Sequence, residues 1–225
     1  MPKVFEIDKR YVVFSFVVRT FFFLGEKGDV GAVYSGLQAD GRTLVDFARV
    51  QAQVYKIFLF YLLMLIGNYW FTYDEPMPVK SLTRTVADYM MSFAGTDDDD
   101  DDDDNGHKKM SRPFGVAILL AGVDENGPSL YVIDPSGTIV KYLAVAVGAG
   151  GESAMTVLRE RYAKSMSLRE AEDLAAEILK QVMEAKIGTD NIEFALVSAE
   201  SKKWTVYDSK QIQSVIGRMT TSEES

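Results

Sequence analysis

The sequence contains no cysteine, which excludes disulfides, thiolate metal ligands, thiol nucleophiles and iron–sulfur clusters together. It has one histidine, His107, so a multi-histidine metal site is ruled out and little is left for a histidine-based triad. Cations of a kind that would form a basic face are also scarce. The 24 Lys and Arg are outnumbered by 33 acids, for a net charge of −9. Binding to a nucleic-acid backbone is therefore not expected, because it needs clustered cations to displace counterions. Long apolar runs are missing too. Val12–Leu24 is broken by Arg19 and Thr20, and Val54–Ile66 is uninterrupted only from Ile57. A bilayer-spanning helix needs about 20 apolar residues, so neither stretch spans. The opening MPKVFEIDKR carries acids, and no small-residue cleavage site follows, so it does not read as a signal peptide. No membrane partner is expected, with interfacial anchoring of the two stretches left as an alternative.

What is present fits an ordinary globular chain of 225 residues, 47% hydrophobic and 25% charged. At this size one domain, or two small ones, can bury roughly 70% of the unfolded surface. Eight of the acids form a single run, Asp97–Asp104, without which the net charge would be −1. Calcium loops space their carboxylates around a Gly turn with a distant Glu, which this run lacks. A solvated, disordered loop over 96–109 is expected instead.

Hydrophobic periodicity supplies the elements. Leu44–Gln53 and Val79–Phe93 repeat apolar residues at helical spacing, the second after Pro76 and Pro78. Phe114–Val123 is a continuous apolar run, as expected of a strand buried on both faces. Turns at Asp124–Gly127 and Asp134–Gly137 then make Ser129–Asp134 and Thr138–Val147 the second and third strands of an antiparallel meander. Gly148–Gly151 leads into a helix over about Glu152–Lys164. Ser167 with Glu170 forms a capping box that opens a helix over Leu168–Lys186. Asn191–Val197 and Trp204–Tyr207 read as strands, and Asp208 caps a last helix to about Gly217, followed by a frayed tail. Helices grouped in pairs around antiparallel strands predict an α+β sandwich.

Isolated motifs carry little chemistry. Gly148-Ala-Gly-Gly-Glu-Ser153 before a helix resembles a phosphate cradle, but it lacks the Lys and the spacing of a P-loop, and Glu152 would repel an anion. A tight strand-to-helix turn explains it better. Ser35-Gly36 and Ser136-Gly137 lack the flanking glycines of a nucleophile elbow. His107 sits beside the acidic run, with no rigid scaffold for a relay. No cofactor or metal is expected.

Specificity enters with the order of short motifs. They are Lys3-Val-Phe-Glu-Ile-Asp8, Ser35-Gly36-Leu37 with Ala39-Asp40 and Thr43-Leu44, Ala48-Arg49-Val50, and Trp70-Phe71-Thr72-Tyr73. Ser111-Arg-Pro-Phe-Gly115, Gly122-Val-Asp-Glu125, Gly127-Pro128, Asp134-Pro-Ser-Gly-Thr138, Ile178–Met183 and Asn191-Ile-Glu193 follow. In this order the chain resembles the alpha subunits of the proteasome core particle, and Trp70–Tyr73 points to their type-five branch. The resemblance implies the four-layer αββα sandwich of the N-terminal-nucleophile hydrolases, here incomplete at the N-terminus. It implies neighbouring alpha and beta subunits as partners, in cytoplasm and nucleus, and a non-catalytic part in ring assembly, channel gating and activator docking.

Catalytic members of that fold use a free N-terminal Thr. The nearest Gly-Thr here, Gly95-Thr96, leads into the acidic run, so a threonine-type hydrolase is kept only as the alternative. The resemblance also implies that Lys3, Gly36 and Leu37 belong to a pocket for the C-terminal tails of regulatory ATPases. In that pocket a Lys pairs with the tail carboxylate, and Gly admits close backbone approach. The family passes from the Asp8 region directly to Gly31, and from Gln53 directly to Asn68. Residues 12–30 and 54–67 are accordingly expected to be insertions of retained-intron origin, the alternative being genuine lineage-specific insertions. Loss of the strands that precede Lys3 in the family is expected to halve one sheet's ladder and leave open edges.

Overall fold

The computed structural model describes residues 3–7, 11–16, 21–24, 30–66, 77–92, 112–163, 165–183 and 187–223. The acidic run, His107, Thr96 and Trp70–Tyr73 lie outside the described residues. The strands are β1 Lys3–Ile7, β2 Tyr11–Phe16, β3 Phe21–Leu24, β4 Val30–Gly36, β5 Val116–Asp124, β6 Gly127–Ile133, β7 Ile139–Tyr142, β8 Ala144–Ala146, β9 Glu193–Ser198 and β10 Trp204–Val206. The helices are α1 Gln38–Ile66, α2 Val79–Met91, α3 Gly151–Arg161, α4 Leu168–Val182 and α5 Ser209–Glu223. Two five-stranded sheets result, ordered β3-β4-β5-β6-β7 and β10-β9-β2-β1-β8. Every pairing in them is antiparallel.

The apolar run at 114–123 becomes β5, at the centre of the first sheet between β4 and β6. Its side chains alternate with the pleat. Ile118 and Leu120 pack with Leu44, Val45 and Ala48 of α1, and with Leu82, Val86 and Met90 of α2. Leu119, Ala121 and Val123 face the other way, against Val145, Ala195, Val197 and Trp204 of the second sheet. A third core joins Phe194 of β9 to Leu158 of α3, Leu174 and Ile178 of α4, and Ile212 and Val215 of α5. The helices α1 and α2 thus belong to one sheet, and α3, α4 and α5 to the other.

Local chemistry sets the turns. Asp124 accepts the Asn126 N–H at 2.8 Å in the β5–β6 hairpin. The Gly137 N–H reaches the Asp134 carbonyl at 2.8 Å, closing the β6–β7 turn. Ser167 and Glu170 make the expected capping box at the start of α4, the Ser167 N–H donating to Glu170 Oε2 at 2.7 Å. Asp208 and Gln211 exchange reciprocal hydrogen bonds of 2.7 and 2.9 Å at the start of α5.

Several boundaries differ from expectation, each for a physical reason. The single strand expected over Thr138–Val147 is two strands in different sheets, β7 beside β6 and β8 beside β1. The chain crosses from one sheet to the other at Leu143, and an unbroken apolar pattern does not register which sheet a strand joins. The last helix passes Gly217 and runs to Glu223. Beyond that glycine, Arg218 holds α5 to α4 through Glu172 at 2.7 Å and Asp173 at 2.9 Å. The helix at Leu168 ends at Val182, where Met183 turns extended. The helix expected over Leu44–Gln53 begins earlier, at Gln38, and continues through the second apolar stretch to Ile66.

The expected halved ladder is also not what the structure has. From the first apolar stretch, β2 lies between β1 and β9, pairing Val13 with both Phe5 and Leu196. Its companion β3 pairs with β4 at the edge of the first sheet. Segments rich in Phe and Val suit a pleated sheet, and both stretches of this run form strands.

Candidate functional site

Gly36 is the last residue of β4, opposite Val116 of β5. Its φ is +135°, and a Cβ placed there would lie 2.3 Å from the Gly115 carbonyl oxygen and 2.8 Å from Val116 Cα. Only glycine fits, on conformational and on steric grounds. Leu37 then turns the chain into α1 and is 54% exposed. Its N–H donates to the Gly115 carbonyl at 3.0 Å, while its own carbonyl accepts the Gly41 N–H at 3.0 Å. On the opposing strand a Cβ at Gly115 would meet Leu37 Cδ1 at 2.7 Å. The two backbones therefore touch without intervening side chains.

A buried carboxylate locks this contact. Asp40, in the first turn of α1 and only 7% exposed, has both oxygens occupied. Arg112 grips it with two parallel bonds, Nη2 to Oδ1 and Nη1 to Oδ2, each 2.8 Å. The Gly115 N–H adds a third bond to Oδ2 at 2.9 Å. Paired charge and a backbone donor are what a buried carboxylate requires. The Arg112 bonds, then the Gly115 N–H, hold the Asp40 carboxyl below its ordinary range, against the opposing effect of burial. Arg112 Nη1 also reaches the Pro113 carbonyl at 3.0 Å, and the arginine side chain stays 55% exposed.

Of the three residues expected to form a pocket, the structure sets Gly36 and Leu37 on one turn. Lys3 stands on β1 of the other sheet, with Ser15 and Ala146 as its register partners. Asp40 and Arg112 stand within the ordered short motifs, where the sequence alone gives them no role. The signals for them were an acid amid the apolar face of a helix start and an arginine directly before Pro113.

Elsewhere, Gly148–Gly151 forms a tight turn into α3, closed by the Gly151 N–H on the Gly148 carbonyl at 2.9 Å. Glu172, buried on α4, accepts from Arg218 and from the Tyr207 hydroxyl. Burial first, then Glu172, pushes the Tyr207 phenol far up. Among the described residues no His, Asp and Glu side chains gather in a group able to hold a metal ion. Among them also, no helix is long and apolar enough to cross a membrane.

The family model described as "Proteasome subunit" matches residues 58–197, more than half of the chain. The chain belongs to the proteasome subunit family. Within that family it is similar to the proteasome subunit alpha type-5 of Trypanosoma brucei brucei, 45% identical over 190 residues that cover 84% of this chain and 68% of the relative. It is 41% identical to the alpha type-5 subunit of Dictyostelium discoideum over 182 residues, 81% of this chain and 67% of the relative. The probable alpha type-5 subunit of Schizosaccharomyces pombe is 39% identical over 190 residues, 84% of this chain and 68% of the relative. The interlocked Gly36 turn and the Arg-Pro-Phe-Gly lead of β5 are thus features of a proteasome-family subunit.

Proposed function

We infer that this chain is a non-catalytic alpha-ring subunit of the proteasome core particle, acting in ubiquitin-dependent protein degradation through its contacts rather than through an active site. The observation that carries this is the 45% identity over 190 residues to a relative named as an alpha type-5 subunit. Neighbouring alpha and beta subunits are its partners on this reading, in cytoplasm and nucleus. Channel gating and activator docking are its contributions, with the tails of regulatory ATPases received at Lys3, Gly36 and Leu37. Support for the docking role comes from the exposure of Leu37 on that turn. The finer architecture belongs to the same reading, an αββα sandwich in four layers. It is supported by the alternation of three apolar cores with two sheets.

The threonine-hydrolase alternative has no described feature in its favour. Incubating the purified chain with a fluorogenic peptide and sequencing its N-terminus tests the choice. No turnover and no newly exposed Thr are expected. Turnover that disappears when one hydroxyl side chain is replaced would overturn the reading. Residues 12–30 and 54–67 are, on the same reading, insertions of retained-intron origin, supported by the family motifs that flank each of them. A transcript that carries both segments in frame would refute that origin.

A further inference from the structure

We propose that the free chain pairs with a second copy of itself along the outer edge of β3, the two strands running antiparallel about a two-fold axis at Phe22. This goes beyond the ring reading above and does not depend on it.

An open sheet ends on unpaired main chain, and natural proteins blunt such edges. The terminal strands here are β3 and β7 of the first sheet, and β10 and β8 of the second. Three of them carry features that discourage pairing. Strand β7 contains Lys141, whose amine reaches Ser129 Oγ at 3.1 Å. Strand β10 is three residues long and follows directly on Lys202 and Lys203. Strand β8 is also three residues long, and two of them are alanine. Strand β3 is different. It reads Phe21-Phe-Phe-Leu24, with no charge, proline or glycine, and β4 takes one of its edges. Among the described residues no strand takes the other. An apolar, uncharged edge is a template for strand addition.

Register identifies the occupant. Along one edge the main-chain groups point outward at every second residue, so a strand that pairs with its own copy must oppose residues of equal parity. Centres at Phe22 and at Phe23 overlap the strand most fully. A centre at Phe22 sets Phe22 opposite itself and Phe21 opposite Phe23 twice, giving three aromatic pairs. Carried outward along the sequence, it places Arg19 opposite Gly25 and Glu26 opposite Val18, so no like charges meet. A centre at Phe23 gives one aromatic pair and brings Arg19 opposite Lys27. Cross-strand aromatic pairs stabilise and opposed like charges destabilise, which selects Phe22. The contact is isologous, one patch serving both copies.

Two four-residue strands make a contact at the low end of interface sizes, below about 1,200 Å². The pairing is therefore weak. The net charge of −9 on each copy opposes it further at low ionic strength. Salt should tighten this pair, the reverse of its effect on a contact driven by opposite charges.

Sedimentation velocity of the purified full chain should show a monomer–dimer equilibrium with a Kd on the order of 10 μM. It should be tighter at about 0.5 M salt than at about 0.05 M. Phe22→Lys opposes two ammonium groups at the axis and should weaken the dimer about tenfold or more. Val140→Lys, on the terminal strand β7, should leave it unchanged. The absence of cysteine permits a direct check of register. With glutathione disulfide as oxidant, Phe22→Cys should cross-link to its own copy, because residues paired at the axis lie within the roughly 4.4–6.8 Å between Cα atoms that a disulfide spans. Phe21→Cys is offset from its own copy by two residues, beyond that span, and should cross-link about tenfold more slowly. The cysteine variants carry the test if Phe22→Lys does not fold. A chain that stays monomeric at about ten times the expected Kd overturns the proposal. So does a dimer untouched by Phe22→Lys, or cross-linking that does not favour Phe22→Cys over Phe21→Cys.

Discussion

The turns from β4 into α1 and from β8 into α3 both lead from a strand into a helix, and they solve that problem differently. The turn at Gly148–Gly151 is self-contained. Gly148 and Gly150 take positive φ, the Gly151 N–H returns to the Gly148 carbonyl, and no side chain caps α3. The turn at Gly36–Leu37 is held from outside by Gly115, Asp40 and Arg112. A turn that only redirects the chain can rely on glycine. One that is packed against the lead of another strand is braced by a carboxylate and an arginine brought from 72 residues further along the chain.

Substitutions at matched positions break this comparison at its strongest point first. Gly36→Ala places a Cβ inside van der Waals range of the Gly115 backbone at an unfavourable φ, and should cost about 3 kcal/mol or more in a urea titration. Asp40→Ala removes three bonds from a buried site and should cost about 2 kcal/mol.

The same residue predicts the acid limb of stability. Because its folded carboxyl titrates below the ordinary value of about 3.9, its contribution is complete above that pH. The contribution is lost as pH falls through the depressed folded value. Urea midpoints measured from pH 6 downward should decline more gently in Asp40→Asn than in the unaltered chain. Parallel curves for the two would contradict the assignment.

Ser167→Ala is a local control, since the capping box at α4 involves no distant partner. It should cost about 1 kcal/mol and leave the Leu37 amide protected. Gly151→Ala should have the smallest effect, within about 1 kcal/mol of either sign. Its Cβ would sit 3.3 Å from the Ala146 carbonyl, and the helix start gains from alanine.

What could be read in advance follows the same division between local and distant. The buried strand at 116–124, its hairpin turns and the Ser167–Glu170 box are written in adjacent residues, and they appear where expected. The separation of β7 from β8 was not legible. Which sheet receives a strand depends on Val145 and Ala146 finding partners across the sandwich, not on their neighbours in sequence. Strand β2 escaped notice for a related reason. Its apolar residues lie outside the family motifs, and only their register with Phe5 of β1 and Leu196 of β9 shows which strands they join. At the candidate site, Gly36 and Leu37 came from motif likeness, while the Asp40–Arg112 contact spans 72 positions and leaves no periodic signature.

The most direct test of the central claim is the composition of the particle that contains this chain. Tagged and recovered intact, it should bring down other alpha and beta subunits in a fixed ratio, with no new N-terminal threonine on the tagged chain. Recovery of the chain alone, or as an assembly of its own copies that hydrolyses peptides, would contradict the account.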